Sequence, residues 1–194
     1  QTVSITLVDD SKLENDETFL VSMSNASKPA LMVITDTATV TITNDDSATV
    51  TISDNTTAEN SGPSVVTLSV DNAVQGGFWV TVIRDNGTAT TADGDYTAGT
   101  DNVSFTGNAG ETQAVSVSLG SDTKVEDNET LTLSMGSVSR SGITITDNAT
   151  VTITNDDGVA SVTIDNLTIT ETDGDQSVTV TLTLDKETSN GFTV

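Results

Sequence analysis

Two carboxylates close an alternating run of residues twice in this chain. Ala38-Thr-Val-Thr-Ile-Thr-Asn-Asp-Asp46 returns almost unchanged as Ala149-Thr-Val-Thr-Ile-Thr-Asn-Asp-Asp157. Adjacent acids at a strand end can do two kinds of chemistry: they can ligate a hard cation, or they can act as an acid/base pair on a glycosidic bond. The chain has no cysteine and no histidine, so thiolate and imidazole metal sites are excluded, as are disulfides. No Ser/His/Asp set and no phosphate-cradling glycine loop is present. Aromatic residues are too few to line a sugar-binding cleft, which argues against glycoside cleavage and leaves a cation. Asp93-Gly-Asp95 and Asp173-Gly-Asp175 superficially resemble calcium loops, but the helix–loop–helix ligand spacing is absent.

Composition narrows the setting. Of 194 residues, 29 are acidic and 6 basic, a formal charge of −23. Nucleic acid and anionic lipid both demand basic surface, so neither is an expected partner. The same charge favours cations and opposes compaction unless counter-ions are bound. Apolar content is only 34%, low enough to raise disorder. The period-two alternation of Val, Ile and Thr argues instead for pleated sheet. No apolar run approaches the length needed to span a bilayer and no signal peptide is evident, so direct membrane insertion is not expected.

The elements that position the acids repeat. Gln113-Ala-Val-Ser-Val-Ser-Leu119 matches Gln1 to Leu7, the acidic stretch 121–129 matches 9–17, and Leu131, Leu133 and Met135 stand where Phe19, Val21 and Met23 stood. The start of a unit also appears twice: Ala48–Ile52 matches Ala160–Ile164, Glu59 matches Glu171, Val66–Val70 matches Val180–Leu184, and Gly77-Phe78 matches Gly191-Phe192. Residues 1–46 are therefore the second half of a repeat (strands E–G), residues 47–157 a complete repeat, and residues 158–194 the first part of a further one (strands A–C). The chain begins inside a repeat, which places the start of the gene product elsewhere.

The complete unit reads as about seven strands: A near 48–54, B near 64–71, C near 78–85, D near 102–105, E near 113–119, F near 129–135 and G near 149–154. Short, evenly spaced strands between Gly, Asn and Asp loops indicate an all-β, antiparallel sandwich. In such a sandwich the A–B, C–D and E–F loops and the exit of G share one end. That end collects Glu59; Asp93, Asp95 and Asp101; Asp122, Glu126 and Asp127; and Asp156 with Asp157. Only Asp71, Glu111 and Asp147 lie near the other. So many carboxylates repel one another unless a hard cation sits among them, and oxygen-only ligands on loops suit Ca²⁺.

Three segments resemble the Calx-beta domain: Gly87-Thr-Ala-Thr90 with Asp95-Tyr96, then Asp9-Asp10…Glu14-Asn-Asp-Glu-Thr-Phe19, and the closing strands Ala38–Asp46 and Ala149–Asp157. The resemblance covers essentially the whole chain and implies tandem, seven-stranded, immunoglobulin-like sandwiches. It implies Ca²⁺-ligand roles for Glu59, Asp95, Asp122, Glu126, Asp156 and Asp157, and for the carbonyl of Lys124 with its ammonium turned away. In the first half-repeat the matching positions are Asp9, Asp10, Lys12 (carbonyl), Glu14, Asp45 and Asp46; in the last, Glu171. Two departures lower the charge at the site: Ser121 replaces the first acid of a pair in the complete unit, and Asn44 or Asn155 replaces the first of three acids after strand G. These departures imply fewer or weaker ions in the complete unit than at the first junction.

The resulting expectation is a non-enzymatic, calcium-stiffened repeat of a long extracellular protein, a surface adhesin or filament, whose partners are neighbouring repeats and a cell-surface or matrix ligand. Two alternatives stand beside it: a Ca²⁺-sensing regulatory domain of an exchanger-like membrane protein, and a self-complementing subunit of an extracellular polymer. Trp79, next to Phe78, is read as covering the sheet or a repeat interface.

Overall fold

A computed structural model describes residues 1–34 and 36–194. The first half-repeat contributes a hairpin, β1 (Glu17–Ser22) and β2 (Thr37–Ile42). The complete repeat holds β3 (Ala48–Ile52), β4 (Asn55–Ala58), β5 (Ser64–Val70), β6 (Phe78–Asn86), β7 (Thr100–Phe105), β8 (Thr112–Val117), β9 (Glu129–Val138), β10 (Ile143–Thr144) and β11 (Asn148–Thr154). A last short pair, β12 (Val162–Ile164) and β13 (Leu182–Leu184), belongs to the third repeat. Among the described residues the one helical element is a 3₁₀ turn, Glu59–Ser61.

Two sheets face one another in the complete repeat. One runs in the order β10-β3-β5-β8 and the other β4-β11-β9-β6-β7. The alternation legible in Val66, Leu68 and Val70 becomes strict inward burial on β5, and Val80 and Val82 on β6, Leu131 and Leu133 on β9, and Ala149 and Val151 on β11 meet it from the other sheet. Each fully buried Val or Leu adds about 1.5–3 kcal/mol of hydrophobic stabilisation. Phe78 stacks on Phe105 with centroids 4.8 Å apart. Trp79, on the opposite face of β6, stays 41% exposed.

The predicted single strand A is two strands. It breaks after Ile52, where the Asp54 carboxylate accepts from Thr150 N at 2.7 Å and Asp147 accepts from Ile52 N at 3.2 Å. Beyond the break β4 changes sheet and runs parallel to β11. Strand D starts at Thr100, so Asp101 lies inside β7 rather than in the loop before it. There it pairs with Arg84 at 2.5 Å, away from the acidic end.

The half-repeats depart further from expectation. Residues 1–7 form no strand and are exposed. Their counterpart β8 is laddered to β5, whereas residues 1–7 pair with no strand here. β1 and β2 pair only with each other, so Phe19 and Val21, on the face that matches the core face of β9, are only half-buried, and Met23 is 63% exposed. An isolated hairpin of this kind is marginal in water. In the third repeat β12 and β13 pair over three residues each, and the predicted strand C start at Gly191-Phe192 is not a strand.

Candidate metal centre

Strand register carries the acids to one end. Because β4 lies parallel to β11 with Ala58 opposite Thr154, the residues that follow each strand emerge side by side. Those residues are Glu59, in its 3₁₀ turn, and Asn155-Asp156-Asp157. The antiparallel pairing of β11 with β9 sets Ile153 opposite Glu129, which delivers Glu129 to the same place. The β6–β7 loop arrives through Tyr96, bridged to Leu119, and through the Asp95 carbonyl, which accepts from Gly120 N at 2.8 Å.

Two groups of three carboxylates result. Oxygens of Glu59, Asp156 and Asp157 lie within 4.8 Å of one another, and so do oxygens of Asp95, Glu126 and Glu129. Glu59 is 8% exposed. One of its oxygens accepts from Asp122 N at 3.0 Å. Oδ2 of Asp157 is buried with no hydrogen-bond partner. A buried carboxylate oxygen left bare costs stability, and an ion relieves it. Lys124 and Glu126 form a close ion pair through Nζ and Oε1.

The electrostatics follow from burial and like charge. Burial pushes the Glu59 carboxyl up; the amide of Asp122 partly offsets this, while Asp122, Glu126 and Asp156 add to the rise. Glu129 is pushed up to about 7, by burial first and then by its hydrogen bond to Asp95 and the charges of Asp95 and Glu126. A carboxyl near 7 beside two other acids is a site missing positive charge. The donor set is all oxygen, it includes an orphaned buried oxygen, and a lysine ammonium neutralises one member. These features fit Ca²⁺, which takes six to eight oxygens at 2.3–2.6 Å.

Of the residues expected at this site, Glu59, Asp156 and Asp157 meet in one group, and Asp95 and Glu126 in the other. Asp122 borders the first through its amide, while its carboxylate Oδ1 caps its own loop by accepting from Lys124 N at 2.7 Å. The Lys124 side chain does not turn away; it bonds Glu126. With Glu126 negative and close, the ammonium goes to the strongest available countercharge. Glu129 was missed. It stands at a strand start in Asp127-Asn-Glu-Thr130, and only the register to Ile153 reveals its place.

The first half-repeat builds half of the same arrangement. Asp9, Asp10, Glu14, Asp45 and Asp46 line one open cleft of about 340 Å³. Lys12 bonds Glu14 at 2.5 Å, repeating the Lys124–Glu126 pair, so its side chain also faces the acids. Asp46 is pushed up by burial and then by Asp45, Asp10, Asp9 and Glu14. The cleft lacks counterparts of Glu59, Asp95 and their loops, and the three-carboxylate groups within 4.8 Å lie only in the complete repeat among the described residues. Glu171 is exposed, in a stretch that lacks the other three loops.

The departure at Asn155 has a structural role. Its Oδ1 accepts from Glu126 N at 3.0 Å and its Nδ2 donates to the Asp157 carbonyl at 2.8 Å. Asn44 makes the same two bonds, from Glu14 N at 2.8 Å and to Asp46 O at 2.9 Å. A carboxylate could make the first bond and not the second.

Comparison with known proteins agrees with this architecture. The Calx-beta domain family matches residues 1–46 and 43–157. Among solved structures, the apo form of the Calx CBD1 domain superposes with a TM-score of 0.51 at 20% identity, covering 58% of this chain and 100% of that one. The CBD12 structure of CALX1.2 gives a TM-score of 0.51 at 21% identity over 59% of this chain and 49% of that one. The calcium binding domain CBD12 of CALX1.1 gives 0.50 at 21% over 56% and 44%. The chain thus spans about half the length of the two CBD12 structures. No curated protein sequence matches it.

Proposed function

The chain belongs to the Calx-beta domain family, and from that premise we propose that it is a non-enzymatic repeat of a long extracellular surface protein, an adhesin or filament, in which Ca²⁺ stiffens the junctions between repeats. One of the similar solved structures is the calcium binding domain CBD12 of CALX1.1. The observation that carries the reading is the pair of oxygen-only groups, Glu59/Asp156/Asp157 and Asp95/Glu126/Glu129, set where one repeat runs into the next. Bound there, Ca²⁺ supplies the positive charge that these six carboxylates lack. Glu59 and Asp157 would hold an ion through oxygens already withdrawn from water. Glu126 would exchange its lysine partner for the ion, and Asp122 and the carbonyl of Lys124 lie on the same loop to complete the shell.

Only Gly158 and Val159 separate Asp157 from Ala160, and only Ser47 separates Asp46 from Ala48. Linkers this short suit a stiff rod once the strand ends are fixed. Net charge of −23 suits a setting rich in divalent cations.

Calorimetric titration of the 194-residue chain with Ca²⁺, in parallel with melting in Ca²⁺ and in EGTA, tests the proposal. Binding at a hundredfold excess over the dissociation constant adds about 2.7 kcal/mol, so the melting temperature rises, and E59Q/D157N abolishes most of that rise. No heat of binding and identical melts would end the calcium reading. A midpoint at about 10⁻⁴–10⁻³ M fits an extracellular module, whereas about 10⁻⁷–10⁻⁵ M fits a sensor.

A further inference from the structure

The acidic loop between β8 and β9 has a second face. Val125 makes a β-bridge, and in β-bridged backbone neighbouring side chains point to opposite sides. Lys124 and Glu126 pair with each other on the acid side. Val125 forms a parallel bridge with Thr188 of the third repeat. Its amide donates to Glu187 O at 2.9 Å and its carbonyl accepts from Ser189 N at 3.0 Å. Lys12-Leu13-Glu14 repeats this at the earlier junction. Lys12 and Glu14 pair at 2.5 Å, while Leu13 bridges Val74 in parallel. Leu13 N donates to Ala73 O and Leu13 O accepts from Gln75 N, both at 2.9 Å.

We propose that Leu13 and Val125 are latch residues, and that the β5–β6 turn of each repeat is the surface that receives the latch of the repeat before it. The turn is residues 71–77 in the complete repeat and its counterpart carries Glu187, Thr188 and Ser189 in the third. Leu13 is 3% exposed and is continuous with the core of the complete repeat, to which it does not belong by sequence. It lies so close to Gly142 that a Cβ there would come within 2.7 Å of Leu13 Cδ1. Arg140 braces the contact, bonding Gln75 O and reaching Asn15 Oδ1 at 3.1 Å. The latch consists of backbone hydrogen bonds and apolar burial, so it closes without a metal. It shares a tripeptide with two groups that face the acidic cluster, and through that tripeptide the metal loop of one repeat is tied to the core of the next. The two junctions differ in residue type: Leu13 bridges Val74, whereas Val125 bridges Thr188.

Amide hydrogen exchange and melting of the full 194-residue chain in EGTA test the latch. The Gln75 amide is protected in the wild type, and L13D speeds its exchange at least about tenfold and lowers the melting temperature of the complete repeat by roughly 5–15 °C. L13A gives a smaller change in the same direction, and V125A a smaller one still, confined to Ser189. Because Leu13 lies outside residues 47–157, its loss leaves that unit's own strands intact. E59Q/D157N removes the response to Ca²⁺ and leaves Gln75 protected, which separates the latch from the calcium reading. Unchanged Gln75 exchange and melting in L13D overturn the latch; loss of Gln75 protection in wild type on adding EGTA overturns its independence from metal.

Discussion

Asn155 accepts from the amide of Glu126 at 3.0 Å, and through this bond the end of β11 grips the loop that carries Asp122, Lys124 and Glu126. With its Nδ2 on the Asp157 carbonyl, one side chain fixes the backbone on either side of the acids. Removing it leaves an amide and a carbonyl without partners, at about 1–3 kcal/mol. N155A therefore lowers the melting temperature of the metal-free chain and weakens Ca²⁺ binding about tenfold. N155D restores acceptance from Glu126 N but lacks the donor and adds charge, so in EGTA it melts below N155A and in saturating Ca²⁺ above it. Equal melting of both variants with and without Ca²⁺ would count against this role.

Glu129 gives the site a pH dependence. Its folded carboxyl titrates at about 7, against an ordinary value of 4.5. A carboxyl raised on folding is penalised when charged. In the absence of metal the penalty is absent below about 4.5, grows between 4.5 and 7, and is complete above 7, so the apo protein gains stability as pH falls through that window. Ca²⁺ requires the deprotonated form, so its binding releases protons and its affinity falls as pH drops below 7. E129Q weakens the apo pH dependence in that window, leaving the part that Glu59 and Asp46 contribute, and titrations in buffers of different ionisation heat read the proton release directly.

Glu111 supplies the opposite sign at the opposite end of the sandwich. Burial alone would raise it, but bonds from Thr106 N, Thr106 Oγ1, Gln113 and Gly107 N hold it down at about 2. A carboxylate lowered on folding contributes stability that is full above about 4.5 and is lost as pH falls from there through 2. E111Q flattens the acid limb of the melting curve without changing Ca²⁺ affinity. A change in affinity would mean that the two ends of the repeat communicate.

Much of this was legible in the alternation itself. Val66, Leu68 and Val70 announce a half-buried strand by period alone, and the order of strands sends Glu59 and Asp156 to one end before any coordinate is known. Three features were not legible, each for a physical reason. Strand A splits because Asp54 and Asp147 capture main-chain amides from residues about 95 positions away, a tertiary event. Glu129 joins the site through the register of β9 on β11, and register is invisible in one strand. Leu13 reads as a stray apolar residue in an acidic loop, because its socket lies about 60 and about 130 residues further on, at Val74 and Gly142.

The run at residues 1–7 carries the last prediction. Its sequence matches the strand-forming run from Gln113, yet it forms no strand, because a ladder needs a partner and the β5 counterpart is not beside it. Joining a copy of residues 47–112 ahead of Gln1 supplies that partner, since Gln1 then follows residue 112 as Gln113 does. The first half-repeat should close into a second sandwich: β-sheet content rises, the Phe19, Val21 and Met23 side chains lose solvent exposure, and a second calorimetric transition sharpens. The added copies of Glu59 and Asp95 then face Asp9, Asp10, Glu14, Asp45 and Asp46, so the number of Ca²⁺ ions bound per chain doubles. The completed site has Asp9 where the present one has Ser121, and the extra carboxylate tightens its binding relative to residues 47–157. A folded second sandwich with unchanged stoichiometry would show that the acids of the first half-repeat do not form a site, and would confine calcium to the complete repeat.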